Sequence, residues 1–144
     1  MSESNQHYQL VSIMTRYIKD KYPKYMVLSD IQKYPGDSVP NKINGFKPDF
    51  LAVSGDKKHH IIGEAKTVTD LNSSHSEKQF ITFITYLENQ DTSNFLLSVP
   101  YESTPRAKII LYFLSIKLCV STTKFLIFDE CDWWQLRKTS WHLI

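Results

Sequence analysis

A small α/β domain, a mixed central sheet flanked by helices, is the fold this sequence predicts, on three observations. Residues 6–20 and 76–89 carry apolar side chains at three- and four-residue spacing, the pattern of amphipathic helices. Between and around them stand short stretches rich in β-branched and aromatic residues, which read as strands. The order of the two kinds, α-β-β-β-α-β-α-β, suits one sheet with helices on its faces.

Tyr8, Leu10, Val11, Met14, Tyr17 and Ile18 make the apolar stripe of the first helix, which ends at Lys21 to Pro23. KYMVLSDIQKY, 24–34, reads as a strand. PGDSVPNKINGF, 35–46, has two prolines, two glycines and no period; it is a long loop, of the kind that borders functional sites. Strands over 48–54 and 59–67 flank the turn Gly55-Asp56-Lys57-Lys58. A polar link, 68–75, runs into two overlapping capping-box spacings, Ser74 with Glu77 and Ser76 with Gln79. The helix 76–89 presents Phe80, Phe83, Ile84 and Leu87 on one face, with Gln79, Thr82 and Tyr86 along a polar edge. NFLLSVP, 94–100, is a continuously apolar strand, and Thr104-Pro105 opens a helix through Leu118. That helix is apolar on most sides, so it is either deeply packed or a contact with another subunit. KFLIFDE, 124–130, is the last strand, and the tail with Trp133, Trp134 and Trp141 is assigned to no element.

The 144 residues are expected to form a single domain, 1–144, since no linker or repeat divides them. A hydrophobic share of 42% and a charged share of 22% are ordinary for a folded chain. The net charge of +2 neither favours nor excludes a nucleic-acid partner, so local clusters matter more. The densest is Lys57-Lys58-His59-His60, with Lys42 and Lys47 nearby, and these six are the candidate nucleic-acid contacts. Cys119 and Cys131 form no CxxC pair and are expected to be buried or idle thiols in a reducing compartment. The opening MSESNQHYQ has no apolar signal core, and no run of about 18 apolar residues exists. A cytoplasmic location without a membrane partner is the expectation.

The chemistry concentrates in KPDFLAVSGDKKHHIIGEAKT, residues 47–67. Alternation along a strand puts Glu64 and Lys66 on one face and Ala65 on the other. If Val53 pairs with His60 across a six-residue loop, Asp49 falls opposite Glu64. Any even-length loop keeps the carboxylates and the ammonium together, and an odd one separates them. Two adjacent carboxylates in a poorly solvated place repel unless a cation intervenes, and a hard ion such as Mg²⁺ prefers oxygen ligands. The Ala65 carbonyl is a further candidate ligand, and Lys66 is placed to orient a water and offset charge growing on a phosphate. The plain alternative is a cross-strand ion pair on a solvated face. Pro48 directly before Asp49, the apolar character of the hairpin and the small Gly63 and Ala65 beside Glu64 argue against it.

Pro48-Asp49 followed by Glu64-Ala65-Lys66 resembles the motif of the PD-(D/E)xK nuclease superfamily, which includes restriction endonucleases, Holliday-junction resolvases and several phage and repair nucleases. The order of elements over most of residues 8–130 resembles that superfamily's restriction-endonuclease-like core. The resemblance implies a Mg²⁺-dependent nuclease acting on DNA, with Mn²⁺ able to substitute. Asp49 and Glu64 would be metal ligands and Lys66 would place the attacking water. A polar residue on the following helix would match Gln79, with Ser76 and Lys78 as competitors. Some members add an acidic residue from the first helix. Here Glu3 lies too early, and Gln6, His7 and Gln9 stand where it would be sought, so a single metal is expected. The alternative is a protein of the same fold that binds nucleic acid or a protein partner without cutting. A homodimer or partner contact would use residues 105–118.

Overall fold

The computed structural model describes residues 2–30 and 39–134, with side chains over 5–30 and 39–132. Helix α1 spans Ser2–Lys21, and strands β1 (Met26–Ser29), β2 (Phe50–Val53) and β3 (His59–Ala65) follow. A single short turn of helix, α2 (Val68–Leu71), leads into α3 (Ser74–Glu88). Strand β4 (Thr92–Ser98), helix α4 (Thr104–Lys117) and strand β5 (Thr123–Phe128) complete the sheet and its cover. The five strands lie in sequence order. β1, β2 and β3 pair antiparallel, and β3, β4 and β5 pair parallel through the two crossovers that contain α3 and α4.

The hairpin register is the one alternation requires. Val53 pairs with His60 and Phe50 with Gly63, so Asp49 and Glu64 are the next opposed pair. Phe50 and Gly63 also explain each other, because a β-carbon at Gly63 would fall inside the Phe50 ring. Glycine here makes room for an aromatic side chain lying across the strand.

Two apolar clusters sandwich the sheet. On one face Ile62, Phe95, Leu97, Phe125 and Ile127 pack against Phe80, Phe83, Ile84 and Leu87 of α3 and Leu111 and Leu114 of α4. On the other, Phe50, Ala52, Ile61, Ala65 and Leu96 pack against Leu10, Val11, Met14 and Ile18 of α1. Strand β4 is covered on both faces, which is why its sequence is continuously apolar rather than alternating.

Four local expectations need correction. The link 68–75 contains α2, too short to show a period. The helix after it is capped by Ser73, whose extended backbone lets its hydroxyl accept the Ser76 N–H; Ser74 and Ser76 are already helical. Tyr8 faces outward, whereas Ile13 joins the buried stripe of α1. Both cysteines are free and exposed, so of the two readings, buried or idle, the buried one falls; Cys119 follows the Leu118 cap of α4 with a φ of 51°.

Helix α4 is packed on one side and bare on the other. Ala107, Leu111 and Leu114 are buried, while Ile109, Tyr112, Phe113 and Ile116 are exposed. Among the described residues no helix is long and apolar enough to cross a membrane. Residues 31–38, which hold part of the expected loop, and Trp141, with the side chains of Trp133 and Trp134, lie outside the described set.

Candidate active site

Beyond Phe50 and Gly63, side chains take over from the backbone ladder. The Asp49 N–H donates to Glu64 Oε1 at 2.9 Å, and the Ala65 N–H donates to Asp49 Oδ2 at 2.8 Å. The two carboxylates are thereby clamped at the end of the hairpin, each held by the opposite strand. Their other oxygens face the nitrogens of two further side chains. Lys66 Nζ lies 3.6 Å from Glu64 Oε2, and His7 Nε2 lies 3.4 Å from Asp49 Oδ1.

Lys66 extends this face one step past β3. Its backbone N–H bonds to the Ser98 carbonyl, and its ammonium donates to Gln79 Oε1 on α3. The same ammonium sits 6.0 Å from the centre of the Phe80 ring. Gln79 is therefore the α3 residue that joins the site. Ser76 is buried with its hydroxyl donated to the Asp70 carbonyl, and Lys78 is exposed.

Burial separates this cluster from a surface ion pair. Asp49 is 8% exposed, Glu64 2% and Lys66 8%, so the solvated-face alternative is overturned. Withdrawing such charges from water costs on the order of several kcal/mol per ion, which their mutual attraction only partly returns. Glu64 bears the strain most visibly. Burial, reinforced by the Asp49 charge, pushes its carboxyl well above the usual carboxylate range, and Lys66 and the Asp49 N–H do not offset this. His7 shifts upward as well, chiefly through its hydrogen bond to Asp49; burial opposes this, and the charges of Asp49 and Asp30 add to it.

His7 comes from the first helix, at one of the positions where an acid would be sought. Asp30 had no signal of its own in the sequence. It stands next to Asp49 because β1 pairs with β2 in register Ser29 to Phe50, and its N–H donates to the Asp49 carbonyl at 2.8 Å. Lys47 pairs with Asp30 at 3.0 Å, which places that cation beside the site; Lys42 is exposed on the loop leading to it.

The other expected nucleic-acid contacts are at the far end of the hairpin. Lys58 precedes Glu64 by six residues of extended chain, about 20 Å. Lys57 and Lys58 are exposed in the turn, which Asp56 organises by accepting from Ser54 and from the Lys58 N–H. His59 and His60 are half-buried. His59 lies between the Tyr25 hydroxyl at 2.7 Å and Asn94 Oδ1 at 2.6 Å, and His60 between the Tyr86 hydroxyl at 3.0 Å and the Lys57 carbonyl at 3.0 Å. In each ring Nε2 faces a carbonyl oxygen and Nδ1 faces a tyrosine hydroxyl. Both nitrogens are thus engaged within the protein.

Among the described residues, no group of three or more His, Cys, Asp and Glu side chains is gathered to hold a metal ion. The chemistry of the donor set nevertheless fits a divalent cation. Asp49 and Glu64 are opposed and buried, and a cation between them would offset both the burial that lifts Glu64 and the Asp49 charge that adds to it. Ala65 was expected to contribute its carbonyl; the contribution seen is its N–H, which orients Asp49.

Compared with protein-family models, with curated proteins and with solved structures, the chain matches none.

Proposed function

We propose that this protein is a metal-dependent nuclease of the PD-(D/E)xK type, hydrolysing DNA phosphodiester bonds at Asp49, Glu64 and Lys66 on a restriction-endonuclease-like core. One observation carries the reading: two opposed carboxylates and an ammonium are buried together at the open end of a hairpin, at a cost to stability that packing alone does not call for.

Asp49 and Glu64 would hold the cation, Mg²⁺ or Mn²⁺. When bound, it would supply Lewis-acid charge to a phosphoryl oxygen and lower the pKa of a bound water. The protein's own work is positioning. Lys66 has three N–H bonds; one goes to Gln79 and one is directed to Glu64, which leaves one for a water or a phosphate oxygen. Gln79 fixes the ammonium on the side of the cluster facing α3, and Phe80 shields it from bulk water. An ammonium held this way keeps its charge near the phosphorus as negative charge builds on the equatorial oxygens. Lys42 and Lys47 would meet the backbone near the cut. Lys57 and Lys58, about 20 Å away, would meet it about six nucleotides along a duplex.

Cleavage of a panel of labelled DNAs (duplex, junction, flap and single strand), in Mg²⁺, in Mn²⁺ and in EDTA, tests the reading. Metal-dependent cutting supports it. Metal-dependent DNA binding without cutting would instead favour the non-cleaving alternative, in which the carboxylates keep the partners they have in His7, Lys66 and two N–H groups.

A further inference from the structure

We propose that the bare side of α4 is the contact surface for a second copy of this chain, with the two α4 helices packed antiparallel about a two-fold axis. Ile109, Tyr112, Phe113 and Ile116 are 47%, 47%, 64% and 56% exposed. Their helical spacing lines them up opposite the buried Ala107, Leu111 and Leu114, and no charge interrupts the stripe. Beside it a groove of about 330 Å³ runs between α4 and the start of α3, lined by Phe80, Ile110 and Leu114 with Phe113 at its edge. Knob and hole thus lie on one surface, which is what a self-complementary contact requires: Phe113 of each copy projects toward the groove of the other.

Area favours a second copy. The four side chains leave about 450 Å² of apolar surface open, as much as the largest patch of an ordinary monomer. A standard contact takes about 800 Å² from each partner, a little over half of it apolar. The stripe supplies that apolar share, and Asn72, Glu77, Arg106 and Lys117 along the groove supply a polar rim. Charge selects the direction. Helix α4 carries Arg106, Lys108 and Lys117 and no acid, while the acid of this surface, Glu77, lies 3.6 Å from Lys117. Arg106 is fixed at the other end of the groove, where its Nε donates to Asn72 Oδ1 at 2.7 Å. Parallel packing would set like ends together. The antiparallel pair brings Glu77 of one copy toward Arg106 of the other and sets the helix dipoles head to tail.

The test is sedimentation equilibrium of the full-length protein, without DNA or metal, from about 1 to about 100 µM. A species of twice 16.8 kDa is expected, with a dissociation constant of about 10 µM or tighter. Phe113→Asp and Ile109→Asp are expected to weaken it at least about hundredfold. Both side chains are on the surface, so the melting temperature of the diluted variants should match that of diluted wild type. In a Cys119→Ser, Cys131→Ser background, Ile109→Cys mixed with Ile116→Cys is expected to oxidise to the mixed disulfide. A wild type that stays monomeric at the highest concentration overturns the proposal, and so does a dimer that survives both aspartate substitutions. A monomer that melts lower in Phe113→Asp means that another part of the same chain covers the face, and overturns it too. A disulfide of Ile109→Cys with its own copy overturns the antiparallel order.

Discussion

Asp49 and Glu64 hold each other by reciprocal hydrogen bonds across β2 and β3: the Glu64 carboxylate takes the Asp49 N–H, and the Asp49 carboxylate takes the N–H of Ala65, next to Glu64. Side-chain oxygens replace the carbonyls that would continue the ladder. Strand pairing therefore fixes the separation of the two acids before any ligand arrives. In a nuclease that arrangement is preorganisation. In the folded protein by itself it is a burden, because Glu64 is buried beside a second carboxylate.

Glu64→Gln is expected to stabilise the protein in EDTA. The folded-state pKa of Glu64 is raised above its ordinary 4.5, so the folded form binds this proton more tightly than the unfolded chain does. Its ionisation then subtracts stability as pH rises above 4.5 toward the folded value. Glutamine removes the charge and keeps an oxygen for the Asp49 N–H. Thermal unfolding should show a gain of about 1 kcal/mol at pH 8, shrinking toward pH 5, together with loss of cleavage. A variant less stable than wild type at pH 8 would contradict this.

Gly63→Ala should destabilise by about 2–3 kcal/mol in urea unfolding, because its methyl group enters the space of the Phe50 ring and that ring is fully buried. Phe50→Leu in the same chain should recover part of the loss, and no recovery would mean that the crowding lies elsewhere.

Glu88 governs acid stability at the opposite end of the sheet. Its carboxylate accepts the N–H groups of Ser121, Thr122 and Thr123 and the hydroxyls of Thr122 and Thr123, tying α3 to the start of β5. These bonds outweigh burial and lower its pKa from 4.5 to about 2. A carboxylate with a depressed folded pKa contributes stability above its unfolded value and loses it as pH falls through the folded one. The window here is pH 4.5 down to about 2. Since the group is only partly buried, the contribution is discounted for solvent screening to about 1 kcal/mol. Glu88→Gln should be that much less stable at pH 7 and match wild type near pH 2 in denaturant titrations. A gap independent of pH would exclude the ionised carboxylate as its cause.

Parity made the centre of the site legible in the sequence. Strand alternation and an even loop put Asp49, Glu64 and Lys66 on one face, and helical periodicity put Gln79 on the edge of α3 that meets them. His7 was visible only as a position. Its contact with Asp49 depends on how α1 lies across the sheet, which the apolar stripe leaves free to slide and rotate. The partners of His59 and His60 were hidden for a related reason. Tyr25, Asn94 and Tyr86 lie 34, 35 and 26 residues away and meet them only once β1, α3 and β4 have assembled. The Ser73 cap was missed because three serines within four residues offer the same local signal, and backbone geometry chooses among them.

On the proposed nuclease reading hydrolysis depends most directly on Lys66, and single-turnover cleavage by wild type and by Lys66→Ala, at saturating Mn²⁺ on the best-cut DNA of the panel, is the measurement to make. The expected result is a rate lowered by about 10³-fold or more, about 4 kcal/mol of lost transition-state stabilisation, in a variant that is less stable but still folded at the assay temperature and still binds metal. Metal-dependent cutting by Lys66→Ala at the wild-type rate would show that the chemistry does not pass through this hairpin.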